Sequence, residues 1–109
     1  MGEDKGQNQV AVRNPHFAAI LKEMLEIHDR KSHDYADDDN VYSNFEFAAG
    51  TAKVKVMQTF LVLIGVKLAR LGQLLGGKEA KNEGINDTLL DLCTYCVIMY
   101  AYWRKSNDS

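Results

Sequence analysis

Residues 82–100 read NEGINDTLLDLCTYCVIMY, an oily stretch that carries an acid at every fourth position: Glu83, Asp87 and Asp91. At 100° per residue, a helix gathers these three carboxylates into an arc of about 80°, with Thr94, Ile98 and Ala101 continuing the same side. The other sides hold Ile85, Leu89, Leu90, Leu92, Cys93, Cys96, Val97, Met99, Tyr100 and Trp103. A helix from about Glu83 to Arg104 that is apolar nearly all round has to be covered on most sides. The acid strip is therefore expected to face a cleft or a subunit interface. Like charges at i and i+4 repel, and more strongly in a low dielectric, so the strip calls for cations. Three readings stay open for it: helix N-terminal acids with a lone ion pair, a metal site, or a partner set of cationic side chains.

The rest of the chain reads as helices of the same kind. Asn14-Pro15 offers an N-cap and a first helical residue, and Phe17, Ile20, Leu21, Met24 and Ile27 follow at helical spacing to about Lys31. Residues 32–50 hold turn formers and an acid run, predicting a loop and then a short helix near Tyr42–Ala49. From about Thr51 to Leu75 the spacing is again helical. A buried strand over 60–66 competes, but LVLIGV runs into KLARLGQLL without a turn signal before Gly76-Gly77 ends it. Three main antiparallel helices plus a short one make an all-α bundle the expected architecture.

With 109 residues and 46% hydrophobic content, the chain suits one domain with one modest core. The expected organisation is an arm over 1–13, a helical domain over 14–105 and a polar tail over 106–109. Exposed Val97, Tyr100 and Trp103 would leave a large apolar patch on a monomer, so a homo-oligomer is expected. A net charge of −2 gives no footprint for a long nucleic acid, although a small phosphorylated ligand needs only a few local cations. The polar start has no hydrophobic leader, and the runs LVLIGV and CVIMYAYW fall short of a bilayer's thickness, so the expected setting is cytoplasmic, without a membrane partner. Cys93 and Cys96 form a CxxC inside a helix, where buried core thiols are expected ahead of metal or redox chemistry.

Candidate ligand-binding residues stand in two places. Lys67 and Arg70, spaced i, i+3, interrupt an apolar helix on the side of Thr59 and Leu63; they either pair with the acids structurally or bind phosphate oxygens. In K-S-H-D-Y, Lys31, Asp34 and Tyr35 could meet phosphate, metal and base in turn, with Tyr42, Phe45 and Phe47 as a stacking wall; ordinary packing or solvated surface is the competing reading. His28 and His33 lack the i, i+4 spacing of a helical zinc site, and Asp37, Asp38, Asp39 and Asn40 lack the glycine and closing glutamate of an EF-hand.

Taken in order, K-x-x-D-Y (Lys31, Asp34, Tyr35), Y-S-N-F (Tyr42 to Phe45), V-K-L-A-R-L (Val66 to Leu71) and N-E-G-I-N-D-T-L-L-D-L-x-x-Y (Asn82 to Tyr95) resemble phage nucleotide-modification-associated domains, similar to the MazG-like all-α nucleoside triphosphate pyrophosphatases. The resemblance covers about residues 17–102. It implies an oligomeric helical domain that binds a nucleotide's phosphates between helices through Lys31, Asp34, Tyr35, Phe45, Lys67 and Arg70. In catalytic relatives, paired acids on two helices hold magnesium, which activates water. Glu83, Asp87 and Asp91 would match the second of these elements as ligands for Mg2+. The long second helix carries Lys53, Lys55, Lys67 and Arg70 and no acid, and Glu23-x-x-Glu26 is the sequence candidate for the first element. Two functions follow: a magnesium-dependent nucleotide pyrophosphatase or phosphohydrolase, or a non-catalytic phage sponge that sequesters a nucleotide or cyclic-nucleotide immune signal. A purely structural helical oligomer is the third reading.

Overall fold

A computed structural model describes residues 12–35, 39–79 and 84–108. Their regular structure is helical throughout: α1 (Pro15–Tyr35), α2 (Ser43–Ala52), α3 (Val56–Leu75) and α4 (Ile85–Asn107). The all-α expectation holds, and 60–66 lies within α3 rather than in a strand. Most of the expected 1–13 arm, together with residues 36–38, 80–83 and 109, lies outside the described residues.

The helix starts follow the local chemistry. The Asn14 side-chain oxygen accepts the Phe17 N–H at 3.0 Å, so Asn14 caps α1 as its sequence suggests. α1 then runs past Lys31 to Tyr35, which turns the expected loop K31–Y35 into the last helical turn. The helix expected from Thr51 begins later, at Val56, because α2 extends to Ala52 and closes on Lys53. Lys53 takes the left-handed conformation (φ 59°, ψ 45°), and the Val54 N–H reaches back to the Ala49 carbonyl at 2.9 Å. This is a glycine-type helix stop made with lysine, which is why no turn residue marked it. α3 restarts at Lys55, whose N–H donates to the Gln58 side chain at 2.8 Å. α3 ends as expected at Gly76-Gly77. Gly77 adopts φ 102°, a conformation that glycine takes without steric cost, and the Lys78 N–H closes on the Gln73 carbonyl at 3.1 Å.

α3 and α4 form an antiparallel hairpin. Phe60 near the start of α3 lies 6.0 Å from Tyr102 near the end of α4, Lys67 meets Asp91 at mid-length, and Leu74 shares a surface depression with Ile85. Phe60 is fully buried and is the centre of the core, with Phe45 of α2 at 4.7 Å. Tyr42 meets Tyr102 edge-on at 5.1 Å, and the Lys105 ammonium lies 5.2 Å from the Tyr42 ring. Burying a phenylalanine contributes about 2–3 kcal/mol, so this aromatic group ties α2, α3 and α4 together. Thr88 is also fully buried, and its hydroxyl donates to the Gly84 carbonyl at 2.9 Å. α1 meets α4 over a much shorter stretch than α3 does, through Met24 and Ile98.

Two expectations change here. Cys93 and Cys96 are exposed rather than buried, because nothing among the described residues covers the outer face of α4 that carries them with Leu89, Tyr100 and Trp103. The expected run of short apolar segments is corrected as well: α3, with 20 residues and a mean hydropathy of 1.3, is long and apolar enough by composition to cross a bilayer. The helix extends the run LVLIGV with apolar neighbours on both sides. Val97, Tyr100 and Trp103 are 53, 60 and 52% exposed, as the sequence suggested for a single chain.

Candidate functional site

The cleft that brings sequence candidates together lies between the C-terminal half of α1, the start of α2 and the middle of α4. It encloses about 240 Å³. α1 contributes His28, Lys31 and Ser32 on successive turns of one face; α2 contributes Asn44 and Phe45; α4 contributes Asp91, Thr94 and Tyr95. Ile27, Leu90 and Ile98 complete an apolar floor beneath these polar groups. The face forms because α1 remains helical to Tyr35, which places Lys31 and Ser32 three and four residues after His28.

Asp91 is the electrostatic centre of this cleft. One of its carboxylate oxygens, Oδ2, accepts from Lys67 Nζ at 2.9 Å, and the other, Oδ1, lies 3.9 Å from Lys31 Nζ. Lys67 is largely buried, with 17% of its side chain exposed, whereas the Lys31 side chain is 59% exposed. The inner contact is therefore a short, shielded ion pair, and the outer one is long and solvent-screened. Two ammonium groups facing one carboxylate leave the site with a local excess of positive charge, on a chain whose overall charge is negative. Neighbouring hydroxyls are already engaged: Thr94 Oγ1 donates to the Leu90 carbonyl at 2.7 Å, and Ser32 Oγ lies 3.4 Å from His28 Nε2.

Four sequence candidates thus meet: Lys31, Phe45 and Asp91 line the cleft, and Lys67 stands behind Asp91. The others are placed differently. Arg70 sits one turn beyond Lys67, half-buried with its Nε shut off from solvent, and does not line the cleft. Asp34, one turn past Lys31 near the end of α1, is exposed and does not line the cleft. The Tyr35 side chain and Glu83 lie outside the described residues. Of the expected stacking wall only Phe45 is present: Phe47 is 77% exposed, and Tyr42 packs on Tyr102 while lining an adjoining apolar groove.

The carboxylates divide rather than gather. Asp87 is exposed and shares with Glu23 of α1 a separate depression of about 410 Å³, one turn away from Asp91. Magnesium takes oxygen ligands in octahedral geometry, commonly one or two carboxylates completed by water and substrate phosphates. Glu23 and Asp87 are two carboxylates lining one depression, while Asp91 faces two lysines. Among the described residues no three metal-binding side chains converge, and Glu83, the third acid of the expected strip, lies outside them. Of the other polar residues in the cleft, Thr94 continues the side of the acid strip, Asn44 and Tyr95 lie inside the motifs and His28 is a polar residue on the apolar face of α1, whereas Ser32 left no signal. Comparison of the chain with protein-family models, with curated proteins and with solved structures finds no match.

Proposed function

We propose that this chain is a nucleotide-binding protein of the phage type its motifs resemble, and that it holds ligand phosphates in the cleft between α1, α2 and α4. The observation that carries the reading is the convergence of Lys31 and Lys67 on Asp91 at the edge of an open, partly aromatic cleft. Lys31 makes only a long contact to Asp91, so a phosphate oxygen competes for its ammonium at little cost. Lys67 holds Asp91 in place and offsets its charge, which keeps a second anion from being repelled. Phe45 offers an aromatic edge for a base, with Asn44 and His28 beside it as hydrogen-bonding groups.

Sequestration without hydrolysis is the form best supported, because the cleft's carboxylate is neutralised by side-chain cations rather than set out as a metal ligand. One observation favours a second reading, magnesium-dependent pyrophosphatase chemistry: Glu23 and Asp87 share a depression across α1 and α4. In that reading the pair would hold Mg2+ together with the ligand's phosphates, and the ion would neutralise the phosphate chain. A thermal-shift screen of nucleoside triphosphates and cyclic nucleotides, with and without magnesium, separates them. Stabilisation that is independent of magnesium, with intact ligand recovered, supports the sponge. Magnesium-dependent release of pyrophosphate that is lost in Asp87→Asn supports the enzyme. No stabilisation by any nucleotide rejects both.

A further inference from the structure

α3 is turned inside out. Its only charged residues, Lys67 and Arg70, stand on the half-buried side towards α4, while the outer side is uncharged. That outer side carries Leu61, Leu68 and Leu75 at 58, 52 and 67% exposure, with Val62 and Val66 at 64 and 61%. Along its centre run Gln58, Leu61, Gly65, Leu68, Gly72 and Leu75, alternating steps of three and four residues. This is a heptad seam with leucine at every d position and glutamine or glycine at every a position. A methyl group built on Gly65 or Gly72 would meet nothing within 4 Å, so the fold of one chain gives neither glycine a packing reason. Close approach of another helix does.

We infer that this face is an interface between two copies of the chain, formed by α3 packed antiparallel on α3 of the second copy. The seam is self-complementary in one register. With a two-fold axis passing between Val66 and Lys67, Leu61 meets the partner's Gly72, Leu68 meets the partner's Gly65, and Leu75 meets the partner's Gln58. Each leucine knob then enters a hole opened by a small or flexible residue, and the arrangement closes on itself. Parallel pairing would stack leucine on leucine and glycine on glycine, leaving alternate layers crowded and empty. Leu61, Val62, Val66, Leu68 and Leu75 are each more than half exposed, so a second copy has a continuous apolar strip to cover. A bilayer would also accept the apolar side, but lipid gives no reason for glycines spaced against leucines.

The 109-residue chain in detergent-free buffer is expected to sediment at an even multiple of its 12.3 kDa mass, and Leu68→Glu to shift it to a monomer that retains its helical circular dichroism. Register is tested separately, in a chain with Cys93→Ser and Cys96→Ser, by oxidising Leu61→Cys and Gly72→Cys proteins alone and mixed. Disulfide-linked dimers in the mixture but not in either protein alone are expected. Cross-linking of each protein to itself overturns the antiparallel register. A monomeric wild type, or a chain that partitions onto phospholipid vesicles without self-association, overturns the interface.

Discussion

At the scale of single residues, Asp91 links the fold to the site, because its two oxygens face one buried and one exposed lysine. The two lysines should therefore separate by experiment. Lys67→Met leaves Asp91 without its close partner in a shielded position and is expected to lower stability by about 1–3 kcal/mol in urea unfolding, below the cost of breaking a fully buried pair. Lys31→Met removes only a long, exposed contact. Its stability should change by less than about 1 kcal/mol, while nucleotide affinity falls at least tenfold by calorimetry. Equal losses of stability in the two variants would contradict this division. Lys31, Phe45, Lys67 and Asp91 were legible in the sequence because charged or aromatic residues at helical spacing in apolar surroundings stand out. Ser32 and Asn44 were not, since small polar residues are common on any helix and gain meaning only when three helices bring them to one cleft. Asp34 and Asp87 belong to the same motifs but are exposed and do not line this cleft.

Among the elements, the stops are more informative than the starts. Gly77 at φ 102° was readable because glycine is the usual residue there, whereas Lys53 at φ 59° was not, because lysine seldom adopts that conformation. Substituting Lys53→Gly is expected to stabilise the chain by about 1 kcal/mol, since glycine takes the left-handed stop without its steric penalty. Gly77→Ala should cost a similar amount for the same reason, and thermal unfolding of both reads the contrast. A Lys53→Gly protein less stable than wild type would show that the lysine side chain contributes more there than its backbone costs. Helix identity was legible throughout from apolar spacing. The junction at 53–55 and the helical extension of α1 to Tyr35 were not, because both depend on backbone closure that a hydrophobic pattern does not encode.

For the molecule as a whole, the core is small and organised around Phe60, and large apolar side chains on α1, α3 and α4 face outward. Phe60→Ala is expected to cost about 3–5 kcal/mol, enough to leave a marginal domain largely unfolded in circular dichroism at room temperature. The architecture was legible as an all-α chain, and so was the exposed apolar surface of Val97, Tyr100 and Trp103. The face of α3 was not, because the sequence does not say on its own which side of a helix its neighbours cover. The most direct test of the central claim is calorimetric titration of nucleoside triphosphates and cyclic nucleotides into wild-type and Lys31→Met protein. The account predicts saturable binding of at least one of these nucleotides to the wild type, weakened at least tenfold in a Lys31→Met protein of unchanged fold. Absence of binding to the wild type, or equal affinity in the two proteins, would contradict it.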